Sequence, residues 1–322
     1  MSSSSFPLLQ LPSLALMEII QQTELKEQFN LSLCSKRMHF IVKHYRDKST
    51  VSLKLSNVGG DIEIRLLNEK CSEDEVTFKV RRLPEIYPSG WETYKTDMSF
   101  WEDTELFISC WENVVQETNT LVKHLCDLFT ARVKKVEVSN YAIWMLDIIE
   151  EYQGGYSYDA VVLNSYGYGY NDEQLRHILL DLNPRSLHFY QKTFDKFRIE
   201  NFQKKYEDLT ISAEWMRGKH LCQLDCVKLW IYDRRFFNTE INRYFKHVLS
   251  GGAPRLKEFR AEVRHANENV MLDGIQELLT ESERFEDRRG NWNVKGKVAR
   301  GEELVLVSIQ FNGSGYVCLE IK

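Results

Sequence analysis

No block of like charges runs through this chain. Its 42 basic and 47 acidic residues are interspersed and leave a formal net charge of −5, which excludes a dedicated nucleic-acid surface. Long apolar runs are missing too. The opening MSSSSFPLLQLPSLALMEII has no basic stretch ahead of its apolar residues, and Pro7, Gln10 and Pro12 interrupt them, so neither a signal peptide nor a membrane span is expected. Cysteine is sparse and odd in number: seven residues spread from Cys34 to Cys318, most in apolar segments. That excludes a disulfide framework and suits a reducing compartment, hence a cytoplasmic or nuclear location. G-x-S-x-G, HExxH and Walker motifs are absent, and no acid pair stands out. A catalytic reading has nothing to rest on, and no cofactor is expected.

What is present is apolar material in patterned segments. With 43% hydrophobic and 12% aromatic residues, the 322 residues can bury a sizeable core, and the length suits two folding units. At the N-terminus, Ser13 after Pro12 is placed to cap a short helix carrying Leu16, Ile19 and Ile20. A second helix sets Leu25, Phe29 and Leu33 at i, i+4, i+8. A third, capped by Ser35, sets Met38, Ile41 and Val42 at i, i+3, i+4. Such a unit of roughly 40 residues buries too little surface to offset its conformational entropy alone. Leu8, Leu11 and Pro12 precede the first helix, where a three-helix core cannot cover them all, so an apolar patch is expected there. It docks either on the rest of this chain or on a partner.

Beyond Lys48 the pattern becomes strand alternation. Val51, Leu53 and Leu55, then Ile62, Ile64 and Leu66, flank Gly59-Gly60 as a hairpin, and Val76 to Val80 suits another strand. Pro84 to Thr96 reads as a loop. From about residue 118, helices and strands alternate. A helical face carries Leu121, Leu125, Leu128 and Phe129, and another helix covers Tyr141 to Tyr152. Asn171 with Gln174 forms a capping box for a helix carrying Leu175, Ile178, Leu179 and Leu182. Asn238 is placed to cap a helix carrying Ile241, Tyr244, Phe245, Val248 and Leu249, which Gly251-Gly252 stops. Strand starts near 136, 160, 187, 209, 227 and 256 suit an irregular, leucine-rich-repeat-like α/β array without strict consensus. A closing hairpin follows Glu303, turning at Asn312-Gly313. The fold class is α/β, α+β overall: three small helices, then an α/β domain with flanking hairpins.

Two chemical constellations fall to plainer readings. Tyr166-Gly167-Tyr168-Gly169-Tyr170 sits where a phosphate loop would, yet Asp172 replaces the third glycine and would repel a phosphate. His220, Cys222 and Cys226 lack a fourth ligand at usual zinc spacing, so they read as core thiols beside a histidine. No metal is expected.

Three blocks in order carry a family resemblance: Phe6-Pro7-Leu8-Leu9-x-Leu11-Pro12, Met17-Glu18-Ile19-Ile20, and Phe29-Asn30-Leu31-Ser32-Leu33-Cys34-Ser35-Lys36-Arg37. They resemble an F-box, particularly the form expanded in nematodes. The resemblance implies docking on the Skp-type adaptor of an SCF (Skp, cullin, F-box) ubiquitin ligase, and through it on a cullin. Leu8, Leu11 and Pro12 would make first contacts, Ile19 and Ile20 would lie on the first helix, and Leu31, Leu33 and Cys34 would take later contact or core positions. Two departures are a short polar linker, Gln21 to Glu27, and Met38 where many F-boxes carry tryptophan. Leu209 to Val263 resembles the F-box-associated type-2 domain, through Trp215, Asn238-Thr239-Glu240-Ile241-Asn242 and Gly251-Gly252-x-Pro254-Arg255-Leu256. The implied division is 1–48 for the F-box and 49–322 for a recognition domain. The implied role is a non-catalytic receptor for a protein target, the alternative being a scaffold that binds the adaptor or another partner without directing ubiquitination.

Overall fold

The computed structural model describes residues 8–47, 50–58, 60–82, 99–101, 106–153, 159–164, 169–190, 197–286, 291–300, 303–312 and 315–322. The expected loop Pro84 to Thr96 and Tyr166 to Tyr168 of the Gly-Tyr segment lie outside them. Two compact units divide the chain: residues 1–137 with 142–156, and residues 138–141 with 157–322.

The first unit opens with a 3-10 turn over Leu8–Gln10 and the helices α1 (Ser13–Gln22), α2 (Leu25–Cys34) and α3 (Lys36–Tyr45). Then come β1 (Val51–Val58), β2 (Asp61–Asn68), β3 (Glu75–Arg82), β4 (Ser99–Trp101) and β5 (Leu106–Trp111), followed by α4 (Val114–Phe129), β6 (Arg132–Val138) and α5 (Trp144–Gln153). The strands lie in the order β6-β1-β2-β3-β5-β4. β1 and β2 form the expected antiparallel hairpin, from Val51 opposite Asn68 to Val58 opposite Asp61, while β6 runs parallel to β1 and β5 parallel to β3. Leu53, Leu55, Ile64, Leu66 and Phe78 are buried on the strands. Leu121, Val122, Leu125, Leu128 and Phe129 bury one face of α4, and α4 begins earlier than its apolar face, where Asn113 Oδ1 accepts from the Gln116 amide.

The three N-terminal helices share this unit's core. Leu16, Ile20, Leu25, Phe29, Met38 and Val42 are buried. The Phe29 ring meets Phe78 edge-on at 4.7 Å and Phe107 at 5.3 Å, and those two rings stack at 5.1 Å. The inner side of the helices therefore docks on the rest of the chain, and the compact unit runs through residue 48. Ser35 caps α3, accepting from the Met38 amide at 3.1 Å. Ser13 does not cap α1: Pro12 holds the cap position with no side-chain bond, and Ser13 is already the first helical residue.

In the second unit β7 (Ala160–Leu163), α6 (Asp172–Arg176), β8 (Ser186–Phe189), β9 (Lys205–Ser212), α7 (Gly218–Leu221), β10 (Asp225–Phe236), α8 (Asn238–Leu249), β11 (Glu258–Val263) and α9 (Glu268–Met271) lead to β12 (Thr280–Glu286), β13 (Trp292–Arg300), β14 (Glu303–Phe311) and β15 (Tyr316–Ile321). The order is β12-β13-β14-β15-β11-β10-β9-β8-β7. β7 to β11 pair in parallel, and their starts at 160, 186, 205, 225 and 258 are unequally spaced. The expected closing hairpin is β14 with β15, which joins β11 antiparallel. The Asn171–Gln174 capping box is present. Asn238 is a correction: its side chain does not cap α8 but bonds the His265 carbonyl and the Asn267 amide, while Glu240 accepts from the Phe237 amide at the helix start. Past α8, Gly251 takes φ +87, a conformation other residues rarely adopt.

Candidate docking face

The turn Leu8–Gln10 closes when the Leu11 amide donates to the Leu8 carbonyl, which sets Leu8 and Leu11, both half-buried, ahead of the exposed Pro12. On α1, successive residues divide: Ile19 is exposed and Ile20 is fully buried in the core. At the end of α2 Leu31 is half-buried, while Leu33 and Cys34 are exposed. The structure thus separates Leu33 and Cys34, available to a partner, from Ile20, which packs inside. Sequence reasoning missed Leu14, 74% exposed, and Phe40, 67% exposed. Both lie off the apolar stripe of their helix, so an apolar residue out of phase was the available signal.

What holds these side chains in place is the underside of the helices. The α2 N-terminus is capped from outside, the Leu25 amide donating to Asp74 Oδ1 at 3.1 Å. Buried Arg46 donates from Nε to the Leu128 carbonyl at 2.9 Å and from Nη2 to Thr130 Oγ1 at 3.0 Å. Between α3 and α4, Asp127 receives Lys43 and His39, whose hydrogen bonds hold its carboxyl below the usual range. The His124 ring lies 4.9 Å from that of His39, and its Nε2 is 2.9 Å from Ser32 Oγ.

Burial, and then the nearby charge of His39, push His124 below the ordinary histidine value of 6.5. The unfolded chain therefore takes up that proton more readily, so this contribution to stability is intact above about pH 6.5 and declines as pH falls below it. Denaturant midpoints of wild type and His124→Asn, compared from about pH 8 to about pH 5, should diverge with wild type losing more on acidification; parallel curves would refute the assignment.

The second unit offers no comparable centre among the described residues. His220 accepts the Arg217 amide on Nδ1 at 2.9 Å and places Nε2 3.2 Å from the Glu200 carbonyl, so both ring nitrogens are occupied. Burial pushes the Cys222 thiol up and Cys226 up to about 12. Tyr170 of the Gly-Tyr segment is buried and donates to the Val138 and Asn164 carbonyls at 2.7 and 3.1 Å. Glu258, Cys318 and Glu320 come within 4.8 Å of one another, but Arg260 pairs with Glu258 at 2.7 Å and Lys322 with Glu320 at 3.2 Å, so cationic side chains already balance the carboxylates.

Comparison with known families bears on the N-terminal patch. The F-box domain family model matches residues 8–50, spanning the turn and all three helices. The chain is an F-box protein. A second family model, described as F-box associated, matches residues 179–261, from the helical turn that follows α6 into β11. No curated protein and no solved structure matches the chain. The exposed apolar residues of the F-box lie ahead of and on α1 (Leu9, Pro12, Leu14 and Ile19), at the end of α2 (Leu33, beside exposed Cys34) and on α3 (Phe40). Among the described residues no helix is long and apolar enough to cross a membrane.

Proposed function

We propose that this F-box protein is the substrate-recognition subunit of an SCF-type cullin ubiquitin ligase. The F-box docks on the Skp-type adaptor, and the F-box-associated domain binds a protein target. The observation that carries the reading is the split personality of the three helices: one side is sealed onto the chain's own sheet through Phe29, while Leu14, Ile19, Leu33 and Phe40 remain exposed on a segment that matches the F-box family. The chain supplies no bond-making group in this scheme. It raises the effective concentration of the target's lysines at the ligase's loaded conjugating enzyme. Leu8, Leu11, Pro12, Ile19, Leu33 and Cys34 are the adaptor contacts, and Ile20 supports them from within.

The test pairs wild type with a Leu11→Ala/Pro12→Ala variant in co-purification with a Skp-type adaptor. Leu11 is half-buried and Pro12 exposed, so the variant should keep its fold while adaptor affinity drops about tenfold or more, as for anchor residues at an interface centre. Undiminished binding would sink the contact assignment. Unchanged turnover of captured proteins, despite adaptor binding, would leave a scaffold that does not direct ubiquitination.

A further inference from the structure

The connection between β2 and β3 carries a hydroxyl that the fold does not use. It reads NEKCSEDE from Asn68 to Glu75, and Ser72 is the only serine or threonine of the sequence followed by three consecutive acids, Glu73, Asp74 and Glu75. The turn is pinned on either side of it: the Cys71 amide donates to the Asn68 carbonyl at 3.3 Å, and the Asp74 amide to the Cys71 carbonyl at 3.1 Å. Ser72 itself is exposed, and neither its main chain nor its Oγ has a hydrogen-bond partner among the described residues.

The three acids divide by what they touch. Asp74 turns inward, accepting from the Leu25 amide at 3.1 Å and from Asn68 Nδ2 at 3.0 Å. Glu73 is exposed, and Glu75, the first residue of β3, meets Arg65 only at 3.7 Å. Lys70, the cation nearest in sequence, is taken by Asp47 at 3.2 Å. The hydroxyl therefore faces solvent with carboxylates one and three residues downstream, a pattern that a cationic cleft can read through charge-assisted hydrogen bonds. Thr280 and Ser282 are also followed by acids, Glu281 and Glu283. Both lie within β12, which is held against β13, and Thr280 Oγ1 donates to the Lys297 carbonyl at 3.2 Å. The fold thus leaves Ser72 free to enter an enzyme cleft and fixes the other two in a strand.

We propose that Ser72 is a phosphorylation site for an acid-directed serine kinase, which recognises it through Glu73 and Glu75. The Ser72 oxygen attacks the γ-phosphorus of ATP. An O–P bond forms as the bond from that phosphorus to the bridging oxygen breaks, ADP leaves, and the hydroxyl proton passes to the catalytic base of the kinase. The product carries about −1.5 to −2 charge, close along the chain to the Asp74 carboxylate that caps α2. The site is independent of the adaptor contact.

Incubation of the folded full chain with ATP and casein kinase II, followed by mapping of the phosphate by peptide mass spectrometry, tests the site. A single phosphate at Ser72 is expected. Ser72→Ala, at an exposed position with no bond to lose, should abolish its incorporation and leave the melting temperature unchanged. Glu73→Gln/Glu75→Gln should slow incorporation about tenfold or more, because each change removes a charge-assisted contact to the kinase. Absence of phosphate from Ser72, or its appearance at Thr280 or Ser282 instead, overturns the proposal. So does undiminished labelling of the Glu73→Gln/Glu75→Gln variant when its circular dichroism matches wild type.

Discussion

Phe29→Ala should destabilise the first unit by about 3–5 kcal/mol, the usual cost of removing a buried phenyl ring from a packed core. Phe29 is fully buried, and its ring meets Phe78, Phe107 and His124 edge-on at 4.7, 5.3 and 5.7 Å. Alanine would leave a hole bounded by α2, β3, β5 and α4, elements set by their own hydrogen bonds and unable to collapse far into it. Urea denaturation followed by circular dichroism measures the loss, with Ile41→Ala, at a half-buried position of α3, as the reference. A loss under about 1 kcal/mol would mean that the helices do not depend on the sheet. Since α2 carries Leu33 and Cys34, adaptor binding should weaken along with the fold, and excess adaptor should restore part of the stability.

Trp215→Ala should cost the second unit a similar amount, about 3–5 kcal/mol. Trp215 is buried between β9 and α7, with Phe197 at 5.7 Å, Phe202 at 5.4 Å and His220 at 5.5 Å. Its indole Nε1 has no hydrogen-bond partner among the described residues. That predicts an ordering: Trp215→Phe loses volume but no hydrogen bond and should cost clearly less than alanine, so near-equal losses for the two variants would contradict the packing account. Thermal unfolding of both variants, read by near-ultraviolet circular dichroism, measures it.

Elements that bury one face were legible in the sequence. Val51 to Leu55 and Ile62 to Leu66 alternate because one side of β1 and β2 is covered, and β14 and β15 follow the same logic. The caps Ser35 and Asn171 were legible because their bonds close within one turn. Asn238 misled because its side chain reaches 27 and 29 residues along the chain instead. β12, TESERFE, carried no signal, for it lies at the sheet edge with nearly every residue exposed, and no burial means no alternation. The docking face was legible in part. The residues ahead of α1 stood out, but separating Ile19 from Ile20, or Leu31 from Leu33, needs the orientation of the helix on its support. That orientation is fixed by Phe29 and its distant partners Phe78 and Phe107, a pairing no local pattern announces.

The cluster of Phe29, Phe78 and Phe107 also bears on how such chains can be rearranged by recombination. An F-box is a short cassette, and a break near residue 48 looks like a natural joint. Here that break would leave the fragment with Phe29 uncovered and the acceptor with an empty socket at Phe78 and Phe107, while Arg46 would lose the Leu128 carbonyl and Leu25 its Asp74 cap. A viable graft must therefore carry β3, β5 and α4 with the helices. The helices belong to a compact unit of residues 1–137 with 142–156, which reaches well beyond the matched segment 8–50.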